Sequence, residues 1–315
     1  MRRAVSLPER RTAARGSLYL ALIFGLGLLM LLALYWAAAG TNAFAQRAEA
    51  KPSPSLSGST SDFKRAQFDN STSITNRWMP LKPGTQRIYE GSAILEGEKT
   101  RSTRRFVSTV TDVGKVIDGV RTLVVWERDY TAGQLGEAEI AFFAQDNAGN
   151  VWLLGEYPEE YENAKFVDAP AWITGQKGAR AGIAMLANPR VGTPDYSQGY
   201  APPPVDFKDR ARTYKVGQRT CVPVGCYENV LVTEEFERGV PGAYQLKYYA
   251  PGVGNVRVGW RGAKEQEKET LELVSLKRLS PQALAKARKE ALALDKRAYK
   301  NSKDVYAKTQ PAKPL

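Results

Sequence analysis

Val116–Trp152 reads VIDGVRTLVVWERDYTAGQLGEAEIAFFAQDNAGNVW, and Val222–Val258 reads VPVGCYENVLVTEEFERGVPGAYQLKYYAPGVGNVRV. At an offset of 106 residues Gly119 meets Gly225, Gly136 meets Gly242 and Ala144 meets Ala250. Ile140 then meets Leu246 and Phe142 meets Tyr248. After a slip of one residue, Gly149-Asn150-Val151 meets Gly254-Asn255-Val256. Glycines in phase along two such stretches point to an internal duplication.

Both copies alternate β-forming runs with turn residues. Asp118-Gly119 is a strong hairpin signal between β-formers. Leu123–Trp126 and Val230–Thr233 read as the next strands. Tyr244, Leu246 and Tyr248 alternate with Gln245, Lys247 and Tyr249, the period of a half-buried strand. Each copy therefore predicts an antiparallel meander. One small sheet cannot bury its apolar face alone, so two meanders should pack as a sandwich or join in a curved sheet. Phe106–Val113 is expected to precede the first meander and Glu269–Leu276 to close the second. The expected class is mainly β, with a first repeat over 69–170 and a second over 215–279.

Working outward, residues 171–214 are dense in glycine and proline and predict a connecting loop without long regular elements. A loop of this length is often functional. The plainer reading is a surface crossover packed by Trp172, Ile183, Met185 and Leu186. Ser280 is a good N-cap and Pro281 suits the first helical position, so a basic helix is expected over 280–300. Leu284, Ala287, Ala291, Leu294 and Ala298 form its apolar stripe. That helix either docks on the sheet with a solvated basic face or meets anionic lipid or an envelope polymer. Residues 301–315 read as a tail.

The N-terminus carries the localisation signal. Residues 1–16 hold five arginines against Glu9 and read as a basic cytoplasmic segment. Ser17–Gly40 runs without a charge, long enough to cross a bilayer as a helix. Basic flanks stay on the cytoplasmic side, which places the rest of the chain outside. The expectation is a single-pass anchor in the inner, cytoplasmic membrane. The alternative is a cleaved signal, because Ala43-Phe44-Ala45 suits cleavage after Ala45 and release into the periplasm or medium. Arg10-Arg11 is a short twin-arginine candidate. Residues 41–68 read as a flexible linker.

The net charge of +12 lies in the flanks: residues 1–68 and 280–315 each hold nine basic and three acidic residues, and the core between them is balanced. A nucleic-acid-binding core would show a basic stripe in the folded part, so no nucleic-acid partner is expected. The chain has no histidine, which excludes His-based nucleophile chemistry and His-ligated zinc or haem. No metal site and no cofactor are expected. Cys221 and Cys226 flank Pro223 and Gly225, a spacing that lets two hairpin strands face each other. Outside the cytoplasm such a pair oxidises to a structural disulfide.

The candidate catalytic groups are acids: Glu137, Glu139, Asp146 and Glu156. Glu137 and Glu139 fall on the same side of a strand. Paired carboxylates hydrolyse glycosides or bind a cation. The plain reading is a solvated sheet face. The second copy has Ala243, Gln245 and Gly252 at the places of Glu137, Glu139 and Asp146, so the motif folds without those acids. Trp152 and Trp172 are the candidate ligand-binding aromatics.

RWMPLKPGTQRIYEG (77–91), FFAQDNAGNVWLLGE (142–156), GQKGARAGIAMLANP (175–189) and KYYAPGVGNV (247–256) resemble motifs of uncharacterised bacterial exported proteins, many of them lipoproteins. The resemblance covers residues 76–279. It implies an envelope location and β architecture and transfers no activity. This chain lacks the lipidated cysteine of the lipoprotein members. The expected function is a non-enzymatic, membrane-anchored envelope domain that binds a ligand, protein or polymer. The alternatives are a carboxylate-dependent hydrolase of an envelope glycan or other polymer and a structural spacer.

Overall fold

The computed structural model describes residues 63–95 and 97–315. The segments expected over 1–16 and 17–40, and the linker up to residue 62, lie outside the described residues. No helix among the described residues is long and apolar enough to cross a membrane.

The first meander is built from β1 (Thr85–Ile94), β2 (Arg101–Ile117), β3 (Val120–Thr131), β4 (Gln134–Gln145) and β5 (Val151–Glu162). Each strand is hydrogen-bonded to the next. Asp118 and Gly119 turn β2 into β3 with φ of 48° and 82°, the left-handed pair that a tight hairpin turn requires. Four of the next strands are short: β6 (Lys165–Asp168), β7 (Trp172–Ile173), β9 (Tyr196–Ser197) and β10 (Gly199–Tyr200). Between them lies β8 (Arg180–Met185). The second meander follows as β11 (Arg210–Val222), β12 (Gly225–Phe236), β13 (Tyr244–Ala250), β14 (Gly254–Arg261) and β15 (Thr270–Arg278).

The two meanders are neither a sandwich nor two sheets. They form one antiparallel sheet, in which β15 pairs β1 and joins the copies at one side. At the other side β10 pairs β8, and β9 pairs β11. Only Gln198 separates β9 from β10, so one extended segment bridges both ends and the sheet closes on itself. Gln198 N–H donates to the Asp209 carbonyl at 2.9 Å, continuing that seam. Closure removes the open edges that a long sheet would otherwise present. Gly182 permits it: a Cβ there would stand 2.2 Å from the Gln198 carbonyl carbon and the Gly199 nitrogen. Residues 171–214, expected as a loop, thus carry the strands that complete the ring. Their brevity left no periodicity to read.

Strand alternation divides the core. Ile140, Phe142, Ala144 and Leu154 point outward and pack under a helix, α1 (Pro281–Asn301), against Ala291, Leu294 and Ala298. Val125, Ala141, Phe143 and Leu153 point inward and meet Leu231 and Tyr249 of the second copy, with Ile74, Met79 and Leu81. Ser280 caps α1, its hydroxyl accepting from Ala283 N–H at 3.2 Å. The tail is folded: a short helix, α2 (Lys303–Tyr306), precedes β16 (Lys313–Pro314), which pairs β2. Residues 63–68, expected as linker, are also packed, because Phe63 and Phe68 lie edge-on to Trp152 at 5.7 and 6.1 Å.

Cys221 and Cys226 are disulfide-bonded and stand opposite each other in the β11–β12 hairpin. This hairpin occupies the place that Asp118-Gly119 holds in the first copy.

Candidate functional site

Two features stand out, and the sheet keeps them apart. The first is a set of acids inside the ring. Glu127 on β3 stands directly opposite Glu139 on β4, and Asp129 opposite Glu137. All four are buried. Like charges directly opposite across two strands repel, and burial penalises the charged form further. Burial therefore lifts Glu127 to about 7 and Asp129 to about 6. Glu137 and Glu139 are held well above the usual carboxylate range, first by burial and then by a neighbouring acid, Asp129 for Glu137 and Glu156 for Glu139.

Glu156, opposite Ala141 on the next strand, joins the same group. Its Oε2 accepts from Trp172 Nε1 at 2.7 Å, and its Oε1 has no hydrogen-bond partner. Burial lifts it to about 8. The buried cations Arg87, Arg104 and Lys247 answer this negative charge in part. Arg104 bonds Asp129 at 2.7 Å and reaches Glu269 at 3.3 Å. Lys247 lies 3.6 Å from Glu235. In the second copy Thr233 on β12 stands opposite Lys247 on β13. The acids of one copy thus face a lysine of the other.

These carboxyls are shut in. The Trp172 ring stacks on Phe207 at 5.0 Å, and Gly199 packs against both. The acids expected on a solvated sheet face are instead interior groups. Period-2 alternation told which residues share a face but not that the far half of the ring covers it. A glycoside hydrolase needs its two carboxyls on either side of a bond that substrate can reach. Glu137, Glu139 and Glu156 offer no such access. Among the described residues no group of His, Cys, Asp or Glu is arranged to hold a metal ion.

Asp146 and Trp152 stand apart from that cluster and belong together. Asp146 accepts from the Asn150 backbone at 2.8 Å, from the Asn150 amide at 2.9 Å and from Trp152 Nε1 at 2.8 Å. It stabilises the β4–β5 turn and orients the indole. Both of its carboxylate oxygens are engaged in these structural hydrogen bonds.

The second feature is an open groove of about 850 Å³ along the closing seam. Trp152, Ser197, Gly199 and Tyr200 contribute to its wall, and Arg180, Lys208, Arg210 and Arg238 line it. The seam explains the clustering: β8, β10 and β11 bring Arg180, Tyr200 and Arg210 side by side. Arg210 and Arg238 share Asp195, the latter at 3.0 Å, and Lys208 pairs Asp206 at 2.5 Å. Arg180 differs. Its guanidinium lies over the Tyr200 ring at 4.4 Å, and it forms no ion pair among the described residues. Glu237, also in the wall, is pushed up by burial.

Sequence reading missed Arg180, Tyr200, Lys208 and Arg210 because they fall in the stretch read as loop, and Arg238 because it follows β12 in the second repeat and meets them only across the seam. It also missed Glu127, Asp129 and Lys247. The signal that existed was the charged pair in WERDY inside a run of β-formers.

No protein-family model and no curated protein matches the sequence. The chain is similar to two solved structures. One is described as an exported protein with a YmcC-like fold from Bacteroides fragilis NCTC 9343. It shares 12% identity and a TM-score of 0.35, covering 64% of this chain and 100% of that one. The other is described as a lipoprotein from Parabacteroides distasonis ATCC 8503, at 12% identity and a TM-score of 0.34, covering 64% and 99%. Both descriptions are of the exported kind that the sequence motifs resemble. At these scores the likeness carries no argument about function.

Proposed function

We propose that this chain is a non-enzymatic envelope protein, held at the membrane by Ser17–Gly40, whose extracytoplasmic domain binds an anionic ligand in the seam groove. The observation that carries the binding reading is Arg180. A guanidinium stacked on an aromatic ring and left without a carboxylate is pre-oriented for a planar carboxylate or a phosphate. The groove around it is of the size that small-molecule sites occupy. The acids that hydrolysis would need lie behind Trp172, which favours binding over turnover.

Thermal shift tests the site with three probes: an oligogalacturonate, inorganic phosphate and a neutral malto-oligosaccharide. One of the two anions should raise the melting temperature of the parent chain and leave Arg180→Ala/Tyr200→Ala unmoved. A shift that survives in the variant, or a response to the neutral sugar alone, rejects the anion site. The anchor is tested separately by N-terminal sequencing of native protein. Retention of the residues before Gln46 is expected, and a chain starting at Gln46 removes the anchor.

A further inference from the structure

The outward face of α1 is a row of lysines. Lys286, Lys289, Lys296 and Lys300 are all exposed and none forms an ion pair among the described residues. At 3.6 residues per turn they fall on one narrow face and span about 21 Å along the axis. The opposite face holds Ala287, Ala291, Leu294, Asp295 and Ala298, all buried on the sheet.

The helix separates its cations by type. Its arginines point back to the sheet: Arg288 pairs Asp112, and Arg297 bonds Glu159 through Nη2 at 2.7 Å. Asp295 receives the buried Lys115 at 2.9 Å. Of the two acids on α1, Asp295 is buried and Glu290 sits at the margin of the lysine face. Docking has therefore consumed the charges that bind α1 to the sheet and left four lysine charges unopposed along a rigid edge.

We infer that this lysine row is a docking surface for an anionic lipid bilayer. Charge complementarity requires a polyanion, and the geometry selects the planar one. The row follows one regular helix, and no aromatic residue of α1 falls on its lysine face to offer a platform for a single polymer strand. Lysines act as point charges at long range and do not need the fork geometry by which arginine reads one group. Four or more such cations on a docked helix suffice for adsorption to anionic headgroups, and no apolar side chain need insert. The uncharged run Ser17–Gly40 in the same chain supplies a bilayer within reach. This surface is independent of the groove and of any ligand bound there.

The test is lysine acetylation footprinting of the full chain in nanodiscs, read residue by residue by mass spectrometry. One set of discs is phosphatidylcholine and the other an equal mixture with phosphatidylglycerol. Acetylation of the four row lysines should slow about fivefold in the anionic discs relative to the neutral ones. Lys82 and Lys165, exposed elsewhere, should not change. Salt at about 0.5 M should erase the difference. In Lys289→Glu/Lys296→Glu, the remaining Lys286 and Lys300 should react equally in both discs. Equal reactivity of the row in the two discs overturns the inference. So does uniform protection of all lysines. Stronger protection by soluble oligogalacturonate than by phosphatidylglycerol also overturns it, and assigns the row to a polymer.

Discussion

The Glu127→Gln/Glu139→Gln variant should melt well above the parent chain at pH 8, and the advantage should shrink at pH 5. These two carboxyls face each other across β3 and β4 inside the ring. Burial lifts Glu127 to about 7, and Glu156 beside them to about 8. A carboxyl whose pKa is raised on folding binds its proton more tightly in the folded state. Stability from that proton is full below about pH 4.5 and is lost as pH rises through the folded value. From pH 5 to pH 8 the parent chain should therefore lose stability, by roughly 3 kcal/mol or more. Glutamine keeps the shape and removes the charge, so the variant should gain roughly 2–4 kcal/mol at pH 8. Below about pH 4 a different set acts with the opposite sign. Glu159, held down by Arg297, and Asp112, held down by Arg288, lose their pairs there. Urea unfolding at several pH values checks this, and a flat profile from pH 5 to 8 would show that the interior acids stay charged at no cost.

Removing Lys115 should be among the most damaging single changes. Its ammonium is fully buried and bonds Asp295 at 2.9 Å, Tyr299 Oη at 3.1 Å and the Gln310 carbonyl at 2.6 Å. It also lies over the rings of Tyr299 and Tyr306, at 5.1 and 4.7 Å. One side chain of β2 thereby fastens α1, α2 and the tail. Lys115→Met leaves the Asp295 carboxylate buried without its cation, and Asp295→Leu leaves the ammonium likewise. Each should cost about 3–5 kcal/mol. The double variant should cost much less than the sum, because it removes both charges together. Additive costs in urea unfolding would show that the two groups do not depend on each other.

Much of the fold was legible where residues repeat. The phased glycines and the strands between them marked both meanders, and Cys221 and Cys226 fell at the hairpin tip. Ser280 and Pro281 marked the start of α1. What could not be read was closure. Tyr196–Tyr200 has too few residues for a period, and its role depends on Gly182 admitting the crossing backbone. That gap hid the rest. Without the ring, Glu137 and Glu139 look like a solvated face, and Arg180 looks like one loop arginine among several. The pairing of Glu127 with Glu139 is set by register between strands, which alternation within one strand does not fix.

The central claim is that ligand meets the seam groove and not the interior acids. Hydrogen-exchange mass spectrometry of the full chain, with and without a saturating amount of whichever anion, oligogalacturonate or phosphate, raises its melting temperature, addresses it most directly. Protection is predicted over residues 177–212 and around Arg238, with β3 and β4 unchanged. Protection centred on residues 125–141 with the groove unaffected would contradict it and return function to the carboxyls.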